Sequence, residues 1–136
     1  MRVMIVDDSS EMRQLIRQTL APWIPEIVEC SDGDEVVRRF DEFHPDWTLM
    51  DYRMKRVDGL AAIRQLREHC PSARILLLTA YESTAVRQQA LALGAIRCLS
   101  KDELLELPGC IGFPTHPPVP RSGSDTGSTE ERPEGS

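Results

Sequence analysis

Short, uniformly apolar runs alternate with amphipathic stretches over the first hundred or so residues of this chain. Val3-Met4-Ile5-Val6, Trp47-Thr48-Leu49-Met50 and Ile75-Leu76-Leu77-Leu78 show no in-and-out alternation. A strand with one wet face alternates apolar and polar side chains. A continuous apolar run instead marks a strand buried on both faces, as in a parallel sheet covered by helices. Between the runs the apolar residues fall at helical spacing, so the pattern constrains the chain to a layered α/β fold.

The elements follow in order. After the strand Val3–Val6, Ser9 or Ser10 caps a helix whose apolar stripe is Met12, Leu15, Ile16 and Leu20, closed by Pro22 and Pro25. Ile27–Cys30 is a weaker second strand. Asp32-Gly33 then turns into a helix with Val36, Val37, Phe40 and Phe43 on one face, and Pro45 ends it. The strand Trp47–Met50 precedes a helix opened by Asp58-Gly59, with Leu60, Ile63 and Leu66 inward. The strand Arg74–Leu78, a helix over Glu82–Leu93 stopped by Gly94, and the strand Ile96–Leu99 complete the alternation. A last helix is expected from Asp102 to Leu107, with Leu104, Leu105 and Leu107 packing it down, because proline disfavours helix in its predecessor and Pro108 follows. Five strands interleaved with five helices imply a three-layer, doubly wound parallel sheet with right-handed crossovers.

The ends of the strands carry the chemistry. Asp7 and Asp8 follow the first strand, Asp51 the third, Thr79 the fourth and Lys101 the fifth. Ligands of open α/β sheets bind outside the carboxyl ends of the strands. Adjacent acids brought near a third repel one another unless a cation intervenes. A hard divalent ion such as Mg2+, with oxygen ligands and retained waters, answers that repulsion. Asp8 and Asp51 suit direct ligation, Asp7 ligation through water, and the backbone carbonyl of Arg53 offers a further oxygen. A carboxylate beside such an ion is also a nucleophile toward phosphorus. Phosphoryl transfer needs positioning and charge neutralisation, which the Lys101 ammonium and the Thr79 hydroxyl supply. Each residue alone reads as a cap, a structural hydroxyl or a solvated charge. Their convergence on four strand ends favours function.

The stretches Val3-Met4-Ile5-Val6-Asp7-Asp8, Leu49-Met50-Asp51-Tyr52-Arg53-Met54, Asp58-Gly59-Leu60, Leu77-Leu78-Thr79-Ala80 and Leu99-Ser100-Lys101-Asp102 resemble the receiver domains of two-component response regulators. The resemblance implies strand order 2-1-3-4-5 in a flavodoxin-like sheet, with Asp51 as phosphoacceptor, Asp7 and Asp8 holding Mg2+, and Thr79 and Lys101 reading the phosphate. It further implies a sensor histidine kinase or histidine phosphotransfer protein as donor. Three departures stand out. Lys55 occupies a position often held by proline, Cys98 replaces the usual aromatic switch residue, and the last helix is short. A short last helix leaves apolar surface beside the fourth helix and fifth strand, and homodimerisation through that face is an expectation. Arg53 and Tyr81, two residues beyond Asp51 and Thr79, are expected to slow hydrolysis of the phosphoryl group.

Composition bounds the rest. Residues 1–113 form the expected receiver domain. Residues 114–136 hold five of the ten prolines and a single large aliphatic residue, Val119, and read as a disordered tail. A net charge of -6 argues against general nucleic-acid binding. No apolar run approaches a membrane span, no signal peptide is evident, and the four cysteines lack metal or disulfide spacing, which together suggest a cytoplasmic protein with reduced thiols. The expectation is a stand-alone signalling switch rather than an enzyme with its own substrate. The alternatives are a receiver-like interaction module that is not phosphorylated, a flavin-binding electron carrier, whose phosphate Asp7 and Asp8 would repel, and a hydrolase using Asp51, for which no lid segment is evident.

Overall fold

The computed structural model describes residues 1–80 and 83–113; Tyr81, Glu82 and the tail 114–136 lie outside the described residues. The strands are β1 (Arg2–Val6), β2 (Glu26–Cys30), β3 (Trp47–Asp51), β4 (Ile75–Thr79) and β5 (Arg97–Ser100). They alternate with α1 (Ser10–Leu20), α2 (Val36–Phe43), α3 (Gly59–His69), α4 (Thr84–Leu93) and α5 (Leu107–Cys110). All strand pairs are parallel, in the order β2-β1-β3-β4-β5. The doubly wound fold expected from the apolar runs is therefore the one observed.

Successive strand residues point to opposite faces, and because the runs are apolar apart from Thr48 they feed both layers. Met4, Val6, Met50, Ile75 and Leu77 pack under α2, α3 and α4, against Val36, Ala62, Ile63, Leu66, Val86 and Ala90. Val3, Ile5, Leu49, Leu76, Leu78 and Leu99 face the other way, against Ile16 and Leu20 of α1 and Leu107 of α5. Burial of each such side chain contributes roughly 1.5–3 kcal/mol before entropy is counted. Local signals set the helix ends. Ser9, Asp58 and Ser83 each accept a hydrogen bond from the backbone N–H three residues on, at Met12, Ala61 and Val86. Gly94 ends α4 with a left-handed φ of 115°.

The C-terminal segment departs from the expectation. Lys101–Glu106 forms a 3-10 helix, and a single α-helical turn, α5, follows it. Pro108 therefore sits in the first turn of a helix instead of ending one. The first-turn N–H groups have no intrahelical partner, so proline loses nothing there, and its fixed φ suits the position. Leu107 and Ile111 are buried and Phe113 stacks on Trp23 at 6.0 Å, whereas Leu105 is 79% exposed and packs nothing down. Leu15 likewise faces outward on α1, where Ile16 and Leu20 carry the burial.

Candidate functional site

Parallel register brings the strand-end residues to one edge. Val6 pairs with Met50, Asp51 with Leu78 and Thr79 with Ser100, so the residues at or just past these ends share the carboxyl margin of the sheet. Asp7 is almost fully buried. Its N–H continues the sheet to Cys30 O, and its Oδ1 accepts from Ser9 N at 2.9 Å. Asp51 and Thr79, the last residues of their strands, are also buried, while Asp8 is exposed. Together with Arg53 and Lys101 they line an open cleft of about 520 Å³.

Lys101 is the cation that bridges the buried acids of the cleft. Lys101 Nζ lies 2.8 Å from Asp7 Oδ2 and 2.9 Å from Asp51 Oδ1. Burial lowers the readiness of Lys101 to hold its proton, but the two carboxylates outweigh this and raise its pKa. Asp51 moves upward to about 6: burial is the largest cause, Lys101 opposes it, and Asp7 and Asp8 add to it. One ammonium thus bridges two of the three acids, Asp7 and Asp51. Carboxylate oxygens of Asp7, Asp8 and Asp51 all lie within 4.8 Å of one another, with exposed Asp8 on the open side. This donor set, hard oxygens with room for water, fits a small divalent cation.

Two supports were not read from the sequence. Arg13, on the first turns of α1, donates from Nη1 to the carbonyl of Asp7 at 2.6 Å and is itself held by Glu29 at 2.8 Å. Gly59 approaches the end of β3 so closely that a Cβ there would lie 2.2 Å from Asp51 O. The first contact spans a helix and two strands and leaves no local trace. The second was foreshadowed by the glycine that opens α3. Cys98 is a buried free thiol whose pKa burial raises, so it stays protonated. Beside it lies a cavity of about 220 Å³, also lined by Thr79, Ser83 and Arg87, whose guanidinium donates to Cys98 O at 2.9 Å.

Comparison with known proteins returns one consistent class. Residues 3–107 match the model of the response regulator receiver domain. The chain is 31% identical over 106 residues to chemotaxis protein CheY of Bacillus subtilis, covering 77% of this chain and 84% of that protein. It is 33% identical over 107 residues to regulatory protein AtoC of Escherichia coli, covering 76% of this chain but only 23% of the relative. A response regulator protein of Burkholderia pseudomallei, solved with a phosphorylated aspartic acid, calcium ion and citrate, superposes with a TM-score of 0.67 at 26% identity, over 74% of this chain and 59% of that one. Among the described residues no helix is long and apolar enough to cross a membrane.

Proposed function

The chain belongs to the response regulator receiver domain family, and on that footing we propose that it is a phosphoacceptor switch carrying its phosphoryl group on Asp51. The single observation that carries the reading is the buried Asp7–Lys101–Asp51 bridge beside exposed Asp8. It holds one nucleophilic carboxylate at the floor of an open cleft, next to a donor set for Mg2+ and a fixed positive charge. The donor is a sensor histidine kinase or histidine phosphotransfer protein. An Asp51 carboxylate oxygen forms a bond to phosphorus as the P–N bond of the donor phosphohistidine breaks, and the imidazole keeps that electron pair and takes up a proton. Asp7, Asp8 and Asp51, with the Arg53 carbonyl, would hold Mg2+, which would supply charge neutralisation for the transferring oxygens. Lys101 is positioned to exchange its Asp51 partner for a phosphoryl oxygen, and Thr79 to donate its hydroxyl. The phosphorylated aspartic acid of the Burkholderia protein supports this chemistry by analogy.

No separate substrate is proposed; the chain acts on itself and changes what it binds. The apolar side chains Leu91, Ile96 and Leu105, on α4, before β5 and in the 3-10 segment, are all exposed on or next to the last strand and helices. They support the reading that phosphorylation promotes homodimerisation or partner binding there.

Incubation with acetyl phosphate and Mg2+, followed by intact mass, is expected to show one added phosphoryl group. Asp51→Asn should abolish it, and equal labelling of that variant overturns the assignment. An unlabelled wild-type chain would instead favour an interaction module that is not phosphorylated.

A further inference from the structure

Seven residues join the acceptor Asp51 to the start of α3, and Arg53 among them lines the cleft. Their far end is pinned by Gly59, whose N–H donates to Tyr52 O at 2.7 Å. The middle is pinned from a different part of the fold. Asp32, in the turn after β2, is only 3% exposed, and its carboxylate receives three consecutive loop amides. Oδ2 accepts from Lys55 N at 3.1 Å and Arg56 N at 2.9 Å, and Oδ1 accepts from Val57 N at 2.9 Å. A buried carboxylate is costly unless hydrogen-bonded, and charge-assisted bonds of this type are the strong ones. The neighbouring Gly33 lets the turn press against the loop: a Cβ there would lie 2.6 Å from Val57 O. Outside this seat, Arg56 Nε pairs with Asp34 Oδ2 at 2.7 Å.

We propose that Asp32 is a positioning residue for the Asp51 site, its carboxylate holding the 55–57 backbone so that the Arg53 carbonyl stays aimed at the cation. The inference rests on the phosphoacceptor reading above. Lys55 matters through its backbone: proline at this position has no N–H and fixes φ by itself, whereas lysine leaves the chain free and supplies a donor that Asp32 captures. Asp32 also borders a small cleft of about 170 Å³ shared with Asp8 and Lys55, which places the clamp directly beside the proposed ligands.

The test titrates the full chain with Mg2+ by calorimetry and follows phosphorylation by acetyl phosphate through intact mass, with circular dichroism confirming the fold. Asp32→Ala is expected to weaken Mg2+ binding by about tenfold or more, the range for groups that orient metal ligands, and to slow phosphorylation in parallel. In the Asp32→Ala background, Lys55→Pro should recover most of the loss, because it restores rigidity without the carboxylate. Lys55→Ala removes the same charge without restoring rigidity and should recover little. Asp32→Asn keeps one oxygen acceptor and should fall in between; it carries the comparison if the alanine variant does not fold. A folded Asp32→Ala chain with wild-type affinity and rate overturns the inference, as does recovery that is absent or equal for the two Lys55 variants. A wild-type chain that neither binds Mg2+ nor takes up a phosphoryl group overturns the phosphoacceptor reading instead.

Discussion

Replacing Asp51 by asparagine should stabilise the metal-free protein at neutral pH. Asp51 titrates at about 6 in the fold against an ordinary value of 3.8, chiefly because it is buried, with Asp7 and Asp8 adding repulsion that Lys101 only partly offsets. The folded state therefore holds this proton more tightly than the unfolded chain. Between pH 4 and 6 stability falls as pH rises, and above pH 6 the full cost is present. A gap of roughly 2 pH units at about 1.4 kcal/mol each sets a ceiling of about 3 kcal/mol. Asparagine removes the charge but leaves the Lys101–Asp7 bridge at 2.8 Å, so Lys101 keeps a partner. We expect a net gain of about 2 kcal/mol, equivalent to a rise in Tm of roughly 5–10 °C for a domain of this size. The assay is urea unfolding of wild type and Asp51→Asn in chelator, at pH 7 and at pH 4.5. The difference should be large at pH 7 and shrink as pH falls toward 4.5, because the wild-type carboxyl then becomes neutral. Saturating Mg2+ should narrow it from the other side by stabilising wild type more than the variant, which has lost one ligand. A variant no more stable than wild type at pH 7, or a gain that is the same at both pH values, would refute the reasoning.

Gly59→Ala should cost about 1–3 kcal/mol, the usual price of overpacking, because its Cβ meets the Asp51 carbonyl and the Tyr52 Cα; thermal unfolding measures it, and an unchanged Tm would show that the close approach is not real. Replacing both Arg53 and Tyr81 by alanine should speed loss of the phosphoryl group several-fold, followed by intact mass against time; equal or slower decay contradicts their proposed shielding. Beryllofluoride with Mg2+ should raise the light-scattering mass of the full chain and of residues 1–113 alike. A monomer under every condition dismisses self-association, and loss of phosphorylation on removing residues 114–136 would contradict their reading as a dispensable tail.

Much of the fold was legible because its signals are local. Four-residue apolar runs mark strands covered on both faces, and Ser9 and Asp58 stop the chain at helix starts whatever lies elsewhere. Pro108 was misread because proline has opposite meanings at the two ends of a helix, and which end it occupies depends on the chain that precedes it. Leu15 and Leu105 have the residue type of a core and the position of a surface. Helical spacing alone admits both readings, and only the placement of the neighbouring sheet separates them.

The site divides in the same way. Residue type and position along the chain determined which groups could do chemistry: the acids after β1 and β3, the hydroxyl ending β4 and the lysine after β5. Tertiary structure alone decided that Lys101 bridges Asp7 and Asp51, that Arg13 holds the Asp7 carbonyl, and that Asp32 reaches more than twenty residues ahead to three loop amides. The physical reason is that a strand's burial pattern is written in its own few residues. A hydrogen bond or ion pair depends on distances of a few ångströms between segments far apart in the chain, and those distances exist only once parallel strands have paired in register.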